Sequence, residues 1–141
     1  MKKTLNSTLS LIISIILVVC LVSCNQAQNS DLWENAAYTS DAAFGNGVKT
    51  VEVEVTAGEK SVTFTINTDK ETLGEALIEH GLVSGEEGPY GLYIKAVNGI
   101  TADYDVDQSY WSFTKDGEYM MSGVDSETIS GGEHYELTYT K

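Results

Sequence analysis

The sequence predicts an α+β fold, with a mixed sheet and one main helix packed on one face. Three observations carry this prediction. Residues 48–55 and 61–67 each alternate apolar and polar, and Ala57-Gly58-Glu59-Lys60 joins them as a turn would join a β-hairpin. An apolar helical stripe follows in Leu73, Ala76, Leu77 and Leu82. Alternation then returns and ends in residues 133–140, with Tyr135, Leu137 and Tyr139 on one side. A hairpin, a helix and a closing strand beside the first strand make a β-grasp-like order.

The N-terminus reads differently. Met1-Lys2-Lys3 is a short basic start, and residues 11–22 are apolar except for Ser14 and Cys20. That length suits a secretory signal rather than a membrane span. Leu21-Val22-Ser23-Cys24 has the form of a bacterial lipobox, in which the Cys is acylated and becomes the new N-terminus. Two or more acyl chains anchor stably, because each buried methylene contributes about 0.8 kcal/mol. The expected division is therefore a lipoprotein signal peptide over 1–23, a polar tether over 24–47 and a folded domain over 48–141. Lipidation at Cys24 would place that domain on the extracytoplasmic face of the membrane. Trp33, Tyr38 and Phe44 interrupt the otherwise polar tether.

Within the domain, Thr68 or Asp69 can cap the helix and Glu71 suits its positive end. Gly81 is placed to close it. Gly74 lies inside it and predicts close packing against the sheet. Residues 84–90 read as a wet loop, with Gly85, Glu86, Glu87, Gly88 and Pro89. A strand is expected over 91–97, a turn at Asn98-Gly99, and an irregular acidic stretch over 101–107. Residues 110–114 and 118–121 flank Asp116-Gly117, a strong hairpin signal because a primed turn needs positive φ. Alternation there sends Trp111 and Phe113 to one face and Tyr110, Ser112 and Thr114 to the other.

The net charge is −13, with no Arg. Loss of Lys2 and Lys3 on processing would make it −15. Nucleic acid is excluded as a partner, since phosphate affinity comes from clustered Lys and Arg. Cys24 would be the sole cysteine left and would carry lipid, so neither a disulfide nor a Cys-ligated metal is expected. No nucleophile–base grammar surrounds His80 or His134, and no Gly-rich phosphate loop precedes a helix, so an enzyme is not expected.

Metal binding is a more substantial expectation. Asp103, Asp105 and Asp107 alternate like the start of a Ca²⁺ loop, and His134 adds a candidate ligand for a divalent cation. The EF-hand pattern stops there: Gln108 stands where Gly is needed and Thr114 where a bidentate Glu is needed. His80 beside Glu79, and His134 beside Glu133, are pairs without a spaced third ligand. The plain alternative is a solvated acidic loop.

Several pieces together resemble the DUF4430 family of small domains on secreted and lipid-anchored proteins of Gram-positive bacteria. They are Thr72-Leu73-Gly74-Glu75-Ala76-Leu77, Tyr90-Gly91-Leu92-Tyr93, Asn98-Gly99-Ile100, Tyr110-Trp111-Ser112-Phe113 and Asp116-Gly117-Glu118, in that order. The family is in turn similar to the C-terminal domain of transcobalamin and intrinsic factor, which closes over cobalamin. The resemblance implies a ligand-binding domain that takes a corrinoid. Flat aromatics and adaptable Met suit that ring, so Tyr90, Tyr93, Tyr110, Trp111, Phe113, Tyr119, Met120 and Met121 become candidates, with Ser112 bonding its amides. A transporter or another surface protein would be the partner. Against this, Trp111 and Phe113 also have the spacing of core residues. An adhesive or protein-interaction module is the third expectation.

Overall fold

Val51, Val53 and Val55 lie buried along one face of strand β2 (Lys49–Ala57), as period-two alternation requires. The computed structural model describes residues 31–141, so the signal peptide and the Cys24 lipid site lie outside the described residues. β3 (Lys60–Thr68) returns antiparallel to β2 and buries Val62, Phe64 and Ile66 on the same side. β9 (His134–Thr140) pairs parallel with β2, which makes β2 and β9 the centre of the sheet. β7 (Tyr110–Lys115) runs antiparallel to β9, and β8 (Glu118–Tyr119) closes its hairpin. Asp116 and Gly117 both have positive φ (52° and 80°), the primed turn that the sequence requires. β8 is shorter than expected, ending at Tyr119.

Helix α1 (Leu73–Glu79) covers this face with Leu73, Ala76 and Leu77, all fully buried. Its cap is Thr72, not Thr68 or Asp69. The Thr72 hydroxyl accepts the Glu75 N–H, and the Glu75 carboxylate accepts the Thr72 N–H. This capping box satisfies two donors reciprocally, which the earlier residues are too far upstream to do. Thr72→Ala should cost about 1 kcal/mol, read as a lower denaturant midpoint. His80 ends the helix, one residue before Gly81.

Two segments depart from expectation. Residues 31–47 are more than a tether. A 3-10 turn, Leu32–Asn35, buries Trp33, and β1 (Ala42–Gly45) joins the sheet parallel to β3. The six-stranded order is β1-β3-β2-β9-β7-β8. Tyr38, Phe44 and Phe64 meet edge-on, with centroids 5.2–5.6 Å apart. Local polarity concealed this, because the apolar anchors are few and widely spaced.

The expected loop at 84–90 is mostly strand. β4 (Val83–Gly88) pairs with β5 (Gly91–Val97), which pairs with β6 (Ile100–Thr101), forming a second, three-stranded sheet. Backbone pairing overrides the poor strand propensity of Gly85, Glu86 and Glu87. Val83, Val97 and Ile100 face the common core. Residues 104–107 form a short helix, α2 (Tyr104–Asp107), in place of irregular chain.

Candidate functional site

The predicted ligand residues fall into three groups. Trp111 belongs to the core: its ring is 8% exposed, its Nε1 donates to the Ile100 carbonyl at 3.3 Å, and Tyr139 meets it edge-on. Phe113 stacks on Tyr135 at 5.8 Å. These two rings hold β7 against β9 and the second sheet, so Trp111 offers little surface to a ligand. Tyr110 and Ser112 point to the opposite, uncovered sheet face. There Tyr110 meets Tyr104 of α2 edge-on, and the Ser112 hydroxyl donates to the Thr138 carbonyl at 3.2 Å. Tyr93 sits exposed on β5 with the Lys95 ammonium 5.2 Å from its ring.

The third group gathers at adjoining turns. Tyr90 lies at the β4–β5 turn and is 94% exposed; Tyr119 is 76% exposed on β8, and Met121 after it is fully exposed. Met120 is half-buried, its N–H bonded to the Phe113 carbonyl at 3.1 Å. Exposed rings and a thioether of this size leave flat, polarizable surface open to a partner.

A residue that sequence reading missed fixes this corner. The Asp125 carboxylate accepts the Leu92 N–H at 3.0 Å through Oδ2, while Oδ1 is buried with no hydrogen-bond partner among the described residues. Three glycines press on it. A Cβ would lie 2.2 Å from Oδ2 at Gly91, 2.9 Å from Oδ1 at Gly123, and 2.8 Å from the Asp125 Cα at Gly74. Gly74 therefore packs against the 124–125 backbone, to which its N–H donates at 2.8 Å, and not against the sheet as expected. Gly123 also lies near the Tyr90 carbonyl, 3.9 Å from where its Cβ would be. Asp125 thus ties the helix start, the Tyr90 turn and the segment after Met121 together. The local signal was absent, because each glycine's partner is distant in sequence.

Glu127, also missed, anchors the same segment to the sheet. Its Oε1 accepts from both the Lys115 ammonium and the Tyr135 hydroxyl at 3.0 Å. Burial first, then the Glu127 carboxylate, pushes the Tyr135 hydroxyl well above its usual pKa. The Lys115 ammonium's own hydrogen bond to Glu127 raises its pKa.

The acidic candidates are separated. Asp103 caps α2 by accepting the Asp105 N–H at 3.0 Å. Asp107 accepts from Ser109 and from the Lys141 ammonium, 2.8 Å away. Asp105 is exposed on α2, and the His134 Nε2 on β9 lies 3.7 Å from Glu54 Oε2. Glu133 is occupied by the Ser130 and Gly131 N–H groups, both at 2.7 Å. Among the described residues, no three His, Cys, Asp or Glu side chains converge to hold a metal ion. Asp103 is taken up in capping α2 and Asp107 in pairing with Ser109 and Lys141, while Asp105 stays exposed on α2.

Those pairs carry a pH signature. The Lys141 ammonium, then Ser109, lowers Asp107 to about 2. A depressed folded pKa stabilises above the unfolded value of about 3.9 and loses that contribution as pH falls towards 2. Asp107→Asn should flatten the acid limb of a melting-temperature profile between about pH 4 and 2, where Asp103→Asn changes it less.

No curated protein sequence matches the chain. Among solved structures, a Ruminococcus gnavus ATCC 29149 protein described as a "putative metal binding protein" is 39% identical, with a TM-score of 0.63. The match covers 66% of this chain and 97% of that one. Haptocorrin in complex with Cbi is 21% identical with a TM-score of 0.51, over 70% of this chain but only 26% of haptocorrin, so it shares the fold of one part. The family model for DUF4430, a domain of unknown function, matches residues 70–141, which takes in the α1 capping box, the Tyr90–Asp125 corner and the closing strand. That span is just over half of the chain, and the protein belongs to the DUF4430 family.

Proposed function

We propose that this protein is a lipid-anchored, extracytoplasmic binding domain that captures a broad amphipathic ligand of the corrinoid class for uptake. Acylated Cys24 holds it at the membrane, and a transporter receives the ligand. The observation that carries the reading is the strong exposure of Tyr90, Tyr119 and Met121, with Asp125 tying the backbone beside Tyr90 to the segment after Met121. Rings and thioether there present flat, polarizable surface, which a corrin face would cover. The fold shared with part of haptocorrin supports the same reading. Binding, not catalysis, is the activity.

Spectral titration of the full chain with cobinamide and with cobalamin tests it. A shifted visible band is expected, weakened at least tenfold in the Tyr90→Ala/Met121→Ala double variant, as loss of central contacts would give. No shift with either corrinoid at high protein concentration would sink the proposal.

A divalent cation is the second reading, favoured by the 39% identity to the R. gnavus protein. Calorimetry with Zn²⁺, Mn²⁺ and Ca²⁺ distinguishes the two. Saturable heat that His134→Ala or His80→Ala removes, with no corrinoid shift, would make metal the ligand.

A further inference from the structure

A cavity of about 590 Å³ opens between the β1–β2 connection and the C-terminal end of α1. It lies outside the Tyr90–Asp125 corner and shares no residue with it. Asn46, Asn67, Asp69, Lys70, Glu79 and His80 line it. Its volume falls within the range of small-molecule sites.

The lining groups are only partly used. Asp69 Oδ1 accepts the Val48 N–H at 3.0 Å, and Asp69 Oδ2 makes no hydrogen bond within the described residues. Asn67 Oδ1 accepts from Thr50. Glu79 Oε1 lies 3.6 Å from the Lys70 ammonium, and Glu79 Oε2 is 4.0 Å from His80 Nε2. The His80 ring stacks on Phe44 at 5.3 Å, and its Nε2 is buried with no hydrogen-bond partner among the described residues.

The chemistry of this lining selects a ligand class. An apolar molecule would strand two carboxylates, an ammonium and amides. A metal ion needs three or four converging ligands, and here the Lys70 ammonium stands beside the carboxylate it would need. An anion would face Asp69 and Glu79. A neutral polyol has none of these conflicts. Each hydroxyl both donates and accepts, so it meets a carboxylate, an ammonium or an amide equally well.

We infer that this cavity binds a small neutral polyhydroxylated ligand of monosaccharide size, with Asp69, Glu79 and Lys70 bonding its hydroxyls and the His80 ring flanking it. The site is independent of corrinoid capture. Saturation-transfer NMR on the full chain with glucose, galactose and N-acetylglucosamine tests it. At least one sugar should receive transfer, and its affinity should fall about tenfold in Glu79→Ala and in Asp69→Asn. Unchanged amide spectra elsewhere show that both variants remain folded. Tyr90→Ala should leave the sugar signal intact while weakening corrinoid. Absence of transfer to all three sugars, or transfer unaltered by both variants, would overturn the inference. Zn²⁺ binding lost in Glu79→Ala without any sugar signal would replace it with a cation site.

Discussion

Trp33→Ala should destabilise the domain by about 3–5 kcal/mol, the cost of emptying a large buried aromatic site. Trp33 is 7% exposed and belongs to the same core cluster as Phe64 and Leu77. Its indole N–H also donates to the Ala57 carbonyl at 2.9 Å, across the turn end of the β2–β3 hairpin. Truncation removes that hydrogen bond as well as opening a cavity. Trp33→Phe, which keeps most of the ring but not the donor, should lose less. Equilibrium urea unfolding reads both. A midpoint unchanged by Trp33→Ala would return residues 31–47 to the role of a tether and remove β1's purpose in the sheet.

What the sequence could show and what it could not follows from how far each cause reaches. Alternation in residues 51–55, 62–66 and 135–139 is a local property, and it exposed the central strands and their buried faces. The Asp116-Gly117 turn was legible because its demand for positive φ falls on the two residues themselves. The stripe of Leu73, Ala76 and Leu77 found the helix. The cap was misplaced by several residues, since several residues near Thr72 also carry suitable oxygens. Trp33, Tyr38 and Phe44 marked a segment that could dock, but a lone tryptophan in a polar stretch has no period to show where it packs. Asp125 was hidden for a similar reason: its meaning depends on Gly74 and Gly91, which come to it only through the tertiary fold. Alternation in residues 110–114 also divided the aromatic cluster, since one strand sends Trp111 inward and Tyr110 outward. Spacing alone also made Asp103, Asp105 and Asp107 look convergent, where capping and the Lys141 pair divide them.

Gly91→Ala is the second large effect, about 3 kcal/mol, and it tests the corner on which the proposed ligand capture rests. Gly91 has φ +102°, a region costing a side-chain-bearing residue about 1–3 kcal/mol. The new methyl would also lie 2.2 Å from Asp125 Oδ2, so the carboxylate must leave the Leu92 N–H. A hydrogen bond to a charged group is worth about 1.5–3 kcal/mol, and part of it would be lost. The two costs can be separated. Asp125→Ala removes the clash and the hydrogen bond together, so Gly91→Ala should cost less in its background. The double variant should fall short of the summed single losses by about 1–3 kcal/mol, the coupling of residues in contact. Strict additivity would mean that Asp125 does not meet Gly91 in solution. The same variants probe function below their melting temperatures. Tyr90 adjoins Gly91, and Met121 adjoins the Gly123–Asp125 segment, so releasing Asp125 lets the two surfaces move apart. Corrinoid affinity should therefore fall in Gly91→Ala even while the chain remains folded, whereas Thr72→Ala, which weakens the helix start without touching Asp125's carboxylate, should leave affinity unchanged. Equal losses in both variants would mean that affinity follows global stability and that the corner itself contributes nothing.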